Sequence, residues 1–114
     1  MEITSIEVLQ CDGGWRVQNF VKIQTDDGIT GYSECNCMRS HPMLKPAIEH
    51  IGAQVLGRNP FHTEKIQLDL FRATQRQTGG LAHQAISGID AALLDIKGKA
   101  LGVPVYDFFG GLVN

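Results

Sequence analysis

Two lysines at alternate positions, Lys97 and Lys99, follow Asp95 near the carboxyl end of the chain. On a β-strand, a Lys-x-Lys pair places both amines on one side, where they can act as acid and base on a single substrate. On an α-helix the same spacing rotates the two side chains apart by about 200°. The element that carries the pair therefore decides whether it can do this chemistry.

The segment around the two lysines has helical periodicity. An apolar stripe runs through a predicted helix from about Ala82 to Leu101, at Ile86, Ile89, Leu93, Ile96 and Ala100. Gly102, with Pro104 beyond it, predicts the end of that helix. The two lysines therefore cannot address one substrate carbon together. Asp95 and Lys99 lie one turn apart, and the pattern favours a solvated surface ion pair.

Asp90 and Lys97 share a second face of this predicted helix, inside an apolar sector. A charge in such a sector is costly unless it is paired. Seven residues correspond to about 10 Å of rise, so each side chain is expected to find a partner elsewhere. Gly88 and Gly98 lie within the same helix, where glycine costs up to about 1 kcal/mol relative to alanine. We expect another backbone to approach the helix closely at these two positions.

The remainder of the chain predicts an α+β fold, with a three-stranded antiparallel meander followed by a bundle of three to four helices. Strands are predicted over residues 2–10, from Trp15 to about residue 24, and over 29–35, with a hairpin turn at 26–28. Helices are predicted over about 44–57, 60–75 and 82–101, with a short one near 107–109. Asn59 and Pro60 predict the N-cap and first position of the second helix.

The composition indicates a single globular domain, residues 1–114, with a formal net charge of −2. There is no basic run, so nucleic acid is not an expected partner. The apolar runs are too short to span a bilayer, so no membrane association is expected. The N-terminal residues lack the pattern of a signal peptide, so the expected location is cytoplasmic.

Three cysteines, Cys11, Cys35 and Cys37, are present. An odd number without a secretion signal favours free thiols. The alternative is a small metal site formed by Cys35, Cys37 and His41. The spacing of the two cysteines is shorter than in usual zinc pairs, and a second ligand pair is missing.

Three segments, in chain order, resemble the N-terminal capping domain of the enolase superfamily, in the mandelate racemase and muconate lactonizing enzyme group. They are TDDGITGYSE at 25–34, LGRNPF at 56–61 and AISGIDAALLDIKGKALGVPVYDFFGG at 85–111. The segment RATQRQTGGLAHQAISGID, at 72–90, is most similar to the acid-sugar dehydratases of this group.

The resemblance implies a substrate-capping and specificity domain of a Mg²⁺-dependent acid-sugar dehydratase, a lyase. In that family a C-terminal (β/α) barrel carries the metal ligands and the acid/base residues, including a Lys-x-Lys motif on a barrel strand. Lys97 and Lys99 are not that motif. We therefore expect no catalytic residue, metal ligand or cofactor in these residues, no activity of the isolated chain, and Mg²⁺ in the parent enzyme. A truncated chain without the barrel is the interpretation that follows.

By the same resemblance, two loops contact the substrate, the loop from Cys11 to Arg16 and the loop from Asn36 to His41. The candidate substrate-binding residues are Gly13, Gly14, Trp15, Asn36, Arg39 and His41. Arginine and histidine suit the anion of a polyhydroxylated acid. Trp15 could instead cap the core from the sheet, and each of the others could be an ordinary exposed loop residue. Glu34 is interpreted as structural.

Two other functions stay open. The chain could be a stand-alone interaction or oligomerisation module that associates through the face a barrel would cover. It could also be part of a mandelate racemase-type isomerase rather than a dehydratase. The partners expected are an acid-sugar substrate when the barrel is present, and either the barrel domain or further copies of the chain.

Overall fold

A three-stranded antiparallel sheet forms the first third of the molecule. The computed structural model describes residues 1–36, 42–77 and 80–113. The strands are β1 (Ile3–Asp12), β2 (Val17–Thr25) and β3 (Thr30–Glu34), in the order β1-β2-β3. Gly28, with φ of 78°, lies in the turn between β2 and β3. The predicted meander is confirmed.

A bulge near the start of β1 determines which of its residues face the core. Ile3 pairs with Thr25, but Ser5 already pairs with Gln24, so one extra residue interrupts the ladder. Side chains of a regular strand alternate between faces, which would place Ile3 and Val8 on opposite sides. The extra residue resets this alternation, and both side chains are buried.

The helices follow the sheet and pack on its buried face. They are α1 (Leu44–Gly52), α2 (Thr63–Ala73) and α3 (Gly80–Leu101), with a C-terminal 3₁₀ helix (Val105–Phe109). Short 3₁₀ turns extend α1 over Ala53–Val55 and follow α2 over Gln75–Gln77. The α+β class, a meander followed by three to four helices, is confirmed. None of the helices in the described ranges is long and apolar enough to cross a membrane.

The start of α2 differs from the prediction. Asn59 Oδ1 accepts the backbone N–H of Phe61 at 2.9 Å, and the helix begins at Thr63 rather than Pro60. The side chain of Asn59 therefore closes a turn that precedes the helix. An Asx turn of this kind uses the same residue types as an N-cap, which is why the sequence pattern did not separate the two.

α3 is the central helix of the molecule, and its interior glycines lie where neighbouring segments approach it closely. A Cβ added at Gly88 would lie 2.6 Å from Cys35 Sγ, just beyond β3. One at Gly98 would lie 2.9 Å from the carbonyl oxygen of Val103. On the strand side, a Cβ at Gly31 would collide with the carbonyl oxygen of Ala92. The predicted approach of another backbone is confirmed at Gly98, whereas at Gly88 the close neighbour is the side chain of Cys35.

Candidate functional site

The loop between β1 and β2 is closed by its own hydrogen bonds. Gly13 N–H donates to the carbonyl oxygen of Arg16 at 2.8 Å, and Gly14 N–H donates to Asp12 Oδ1 at 2.9 Å. Gly14 has φ of 90°, a conformation that favours glycine. The two candidate glycines therefore shape the loop and present Trp15 at its tip.

Trp15 projects away from the core. Its side chain is 76% exposed, and the guanidinium carbon of Arg16 lies 4.3 Å from the centroid of its rings. The alternative that Trp15 caps the core is wrong, because the indole is exposed and Trp15 precedes β2, which begins at Val17. An exposed indole stacked on a guanidinium offers a large apolar face beside a cation.

Asn36 is held in place directly after β3. Its Oδ1 accepts the backbone N–H of Asn19 at 2.7 Å, and its Nδ2 donates to Glu34 Oε1 at 2.5 Å. Asn19 is buried, and its own side-chain oxygen accepts a hydrogen bond from Gln10 at 3.0 Å. Both polar groups of Asn36 are therefore engaged in holding the chain against the end of β2.

Glu34 joins the two loops. The oxygen that accepts from Asn36 also lies 4.0 Å from Arg16 Nη2 in the loop between β1 and β2. The two loop bases therefore meet at one end of the sheet, as the candidate residues require. Arg16 Nε is buried and has no hydrogen-bond partner in the described ranges. Arg16 is not among the six candidate residues, although its place just before an alternating strand pattern could have indicated a position at the sheet end.

Arg39 and His41, the remaining two candidates, lie outside the described residues, as does Cys37. Within the described ranges, no group of three histidine, cysteine, aspartate or glutamate side chains could hold a metal ion. Cys35 is buried, and its thiol donates to the carbonyl oxygen of Gln84 at 3.2 Å.

Asp95 and Lys99 do not form a simple solvated pair. Their ion pair, with an N–O distance of 2.8 Å, also binds the open edge of β3. Tyr32 N–H donates to Asp95 Oδ2 at 2.9 Å, and Lys99 Nζ donates to the carbonyl oxygen of Thr30 at 2.8 Å. The predicted ion pair is confirmed and is partly exposed. The prediction did not include the bonds to β3, because it considered only the helix surface, whereas α3 lies along the edge strand.

Lys97 lies on a different side of α3 from Lys99. Its Nζ is 5.9 Å from the ring centroids of both Phe61 and Phe108. Phe61 precedes α2, and Phe108 belongs to the C-terminal 3₁₀ helix. Lys97 therefore finds its partners within the chain, as cation–π contacts. The separation of the two amines confirms the helical interpretation.

Asp90 has no such partner among the residues that the structure describes. Its side chain lines a groove of about 670 Å³ between α2 and α3, with Leu68, Phe71 and His83 among the lining residues. The rings of Phe71 and His83 stack, with centroids 5.6 Å apart. Burial raises the pKa of Asp90 above its ordinary value. No hydrogen bond or ion pair reaches this carboxylate from the described part of the chain.

Comparison with known proteins places this architecture in a family. The profile of the "Mandelate racemase / muconate lactonizing enzyme, N-terminal domain" family matches residues 16–110. The whole chain is 39% identical to a D-galactonate dehydratase from Xanthomonas axonopodis pv. citri (strain 306). It is 40% identical to a D-galactonate dehydratase from Pectobacterium atrosepticum. The chain spans 29% of the length of each of these relatives.

Solved structures of related proteins contain a domain with the same fold. The 3,6-anhydro-D-galactonate cycloisomerase of Zobellia galactanivorans matches 100% of the chain with a TM-score of 0.90 and 31% identity, over 33% of its own length. A protein of Burkholderia xenovorans strain LB400, solved with magnesium and fumarate and provisionally named an L-alanine-DL-glutamate epimerase, matches 99% with a TM-score of 0.90 and 35% identity, over 28% of its length. The chain belongs to the N-terminal domain family of the mandelate racemase and muconate lactonizing enzymes, within the enolase superfamily.

Proposed function

We propose that this chain is the substrate-capping and specificity domain of a Mg²⁺-dependent acid-sugar dehydratase, and that it acts only together with a larger catalytic barrel domain. The family match and the identity to D-galactonate dehydratases along the whole chain support this assignment. A cytoplasmic enzyme is part of the proposal.

The observation that carries the proposal is the junction at Glu34. Its carboxylate links Arg16, in one candidate loop, to Asn36, at the base of the other. Two loops fixed at the same sheet end can cover one active site jointly, which neither could do if they lay at opposite ends. The exposed Trp15 indole supplies the apolar face of such a cover.

We propose that the substrate contacts come from both loops, from Gly13, Gly14, Trp15, Asn36, Arg39 and His41. Within this set the geometry favours different roles. Trp15 has surface available for contact, whereas the hydrogen bonds of Asn36 favour a positioning role. Gly14 allows the turn that presents Trp15 and leaves room for a substrate to approach the backbone, whereas at Gly13 a side chain would meet the carbonyl oxygen of Arg16.

The metal ligands belong, in this proposal, to the larger domain. A relative solved with magnesium supports the metal dependence, and the described residues of this chain lack a ligand set. When bound, Mg²⁺ would supply positive charge that stabilises the product of proton removal beside a carboxylate. The residues of this chain would enclose the substrate, exclude water and select among sugar acids.

An assay of the 114-residue chain with Mg²⁺ and a panel of sugar acids tests whether catalysis requires the larger domain. The proposal predicts no turnover above the rate without protein, because it assigns the metal ligands and the acid/base residues to the larger domain. Turnover by the isolated chain would overturn the proposal.

A second function has one observation in its favour. Near the carboxyl end, Phe109 is 71% exposed, Leu112 69% and Leu101 55%. Exposed apolar residues close together favour association with another protein or another copy of the chain. Sedimentation of the isolated chain discriminates, because a monomer at every concentration contradicts an oligomerisation module. Racemisation of a sugar acid or hydroxy acid by the longer protein, without loss of water, would favour the isomerase alternative.

A further inference from the structure

The groove between α2 and α3 contains carboxylates that nothing in the described part of the chain neutralises. Asp90 lies on α3 and is partly buried, and Glu64 lies opposite on α2. Neither takes part in an ion pair or hydrogen bond with the described residues. A partly buried carboxylate without a partner is costly, which is why such groups are normally paired.

Cations on or near the two helices are engaged elsewhere or lie away from the groove. Arg72, on α2, lines a different pocket, with Met43 and His50. Lys65 Nζ lies 2.6 Å from Asp69 Oδ1, and Arg58 Nη2 lies 2.9 Å from the second oxygen of the same carboxylate. Lys97 contacts the rings of Phe61 and Phe108. Of the titratable groups that line the groove, only His83 could carry positive charge, and its ring stacks on Phe71. The charge that balances Asp90 is therefore expected from outside the chain.

The walls of the groove also indicate contact with a protein. Leu68 is 44% exposed and Phe71 43%, although both lie beside the partly buried carboxylate of Asp90. A carboxylate flanked by exposed apolar side chains suits a side chain with a long apolar stem and a cationic end. Lysine and arginine have this construction, whereas a free metal ion would leave the apolar walls uncovered.

The position of the groove indicates which part of the protein supplies the cation. Asp90 and Lys97 lie on one face of α3, seven residues apart, and at Lys97 that face is covered by Phe108 of the C-terminal 3₁₀ helix. The side of the molecule where α2 and α3 meet is thus covered near Lys97 by the C-terminal 3₁₀ helix and is open at Asp90. In the relatives the matching N-terminal domain occupies 29% of the length, so the larger part of those proteins lies outside it.

We propose that the groove between α2 and α3 is an interdomain docking site, in which a lysine or arginine of the following, larger domain pairs with Asp90 while its stem covers Leu68 and Phe71. Glu64 adds a second acceptor at the rim. The inference rests on the proposed function only in requiring a larger domain after this one, and it is independent of the reaction that the enzyme catalyses.

The test compares Asp90→Asn in two settings, the isolated chain and the longer protein that includes the following domain. In the isolated chain the midpoint of thermal unfolding should stay unchanged or rise, because the variant removes a desolvated charge without a partner. In the longer protein the midpoint should fall, and protease cleavage at the domain junction should become several-fold faster, because the cation is left unpaired. The specific expectation is that the shift in the unfolding midpoint changes sign between the isolated chain and the longer protein.

Two further variants make the result decisive. Asp90→Lys, which places like charges together, should increase junction cleavage beyond Asp90→Asn. Glu49→Gln removes an exposed acid on α1 and should leave cleavage unchanged. If Asp90→Asn shifts both proteins alike and junction cleavage does not change, the docking site is rejected. Because the readouts are unfolding and proteolysis, that rejection would leave an observed dehydratase activity unaffected.

Discussion

The carboxylate of Asp95 accepts the backbone N–H of Tyr32 at 2.9 Å, and this bond joins the central helix to the open edge of the sheet. Lys99, one turn later, pairs with Asp95 and donates to the carbonyl oxygen of Thr30. Together the two side chains satisfy a donor and an acceptor of the edge strand. Unpaired edge groups of this kind are templates for pairing with other chains, so α3 also protects the edge.

Replacing Asp95 by alanine should therefore destabilise the domain more than loss of a surface ion pair would. Hydrogen bonds to charged groups contribute about 1.5–3 kcal/mol, and we expect a loss in this range from urea unfolding of Asp95→Ala. Glu49→Gln, which disrupts the exposed pair with Lys45 at 3.9 Å, should cost less than about 0.5 kcal/mol. Equal effects of the two variants would mean that the bond to Tyr32 contributes nothing.

Gly88→Ala should destabilise the domain even though alanine is the better helix former by up to about 1 kcal/mol. The added Cβ would lie 2.6 Å from Cys35 Sγ, so helix and strand must move apart. Overpacking of this kind typically costs about 1–3 kcal/mol, measurable as a lower urea midpoint. Ser87→Ala, at the neighbouring exposed position, is the matched control and should be neutral or slightly stabilising. A more stable Gly88→Ala variant would contradict the close approach.

Two aspartates should give opposite dependences of stability on pH. The hydrogen bond from Lys65, opposed by burial and supported by Arg58, lowers the pKa of Asp69 below its ordinary value of 3.8. Its stabilising contribution is therefore present above that value and is lost as the pH falls through the lowered pKa. Burial raises the pKa of Asp90, so the fold favours the protonated carboxyl over the ionised one. The stability that the protonated form contributes is complete below pH 3.8 and is lost as the pH rises through the raised pKa.

Urea unfolding of the isolated chain from about pH 3 to pH 7 measures both effects through Asp69→Asn and Asp90→Asn. Relative to the unmodified chain, the loss caused by Asp69→Asn should grow towards neutral pH. Any gain from Asp90→Asn should grow over the same interval. Parallel curves for Asp90→Asn and the unmodified chain would show that the Asp90 carboxyl is as well hydrated in the fold as in the unfolded chain.

Trp15→Ala should affect catalysis by the longer protein and leave its stability unchanged. Because the indole is 76% exposed, its removal exposes little core. If it covers the substrate, kcat/KM for the preferred sugar acid should fall roughly tenfold, equivalent to about 1.4 kcal/mol. Trp15→Phe should recover part of the activity, and Leu9→Ala on the sheet surface should have no effect. Unchanged kcat/KM in Trp15→Ala would remove Trp15 from the proposed site.

The features that local sequence patterns predicted are those set by short-range periodicity. The apolar stripe on α3 established that Lys97 and Lys99 lie on a helix, and alternation with a turn at Gly28 established the meander. The interior glycines, Gly88 and Gly98, correctly indicated close contacts. Glycine is unfavourable inside a helix, so its presence there indicates a position where a Cβ would not fit.

The features that the sequence did not predict depend on contacts between distant residues or on one-residue shifts. Asp95 and Tyr32 are 63 positions apart, and only the packing of α3 along the sheet edge brings them together. The bulge in β1 leaves no signal in composition, yet it reverses the face of Ile3. Of the candidate site, the pattern predicted the loops, while the link from Arg16 through Glu34 to Asn36 required the fold.

The central claim is that this domain covers the active site of an acid-sugar dehydratase, and one measurement tests it most directly. The longer protein is incubated with Mg²⁺ and a panel of sugar acids that includes D-galactonate, and the products are identified by mass spectrometry. We predict loss of one water molecule from at least one sugar acid. If the folded, Mg²⁺-containing protein dehydrates none of the sugar acids in the panel, the account is contradicted.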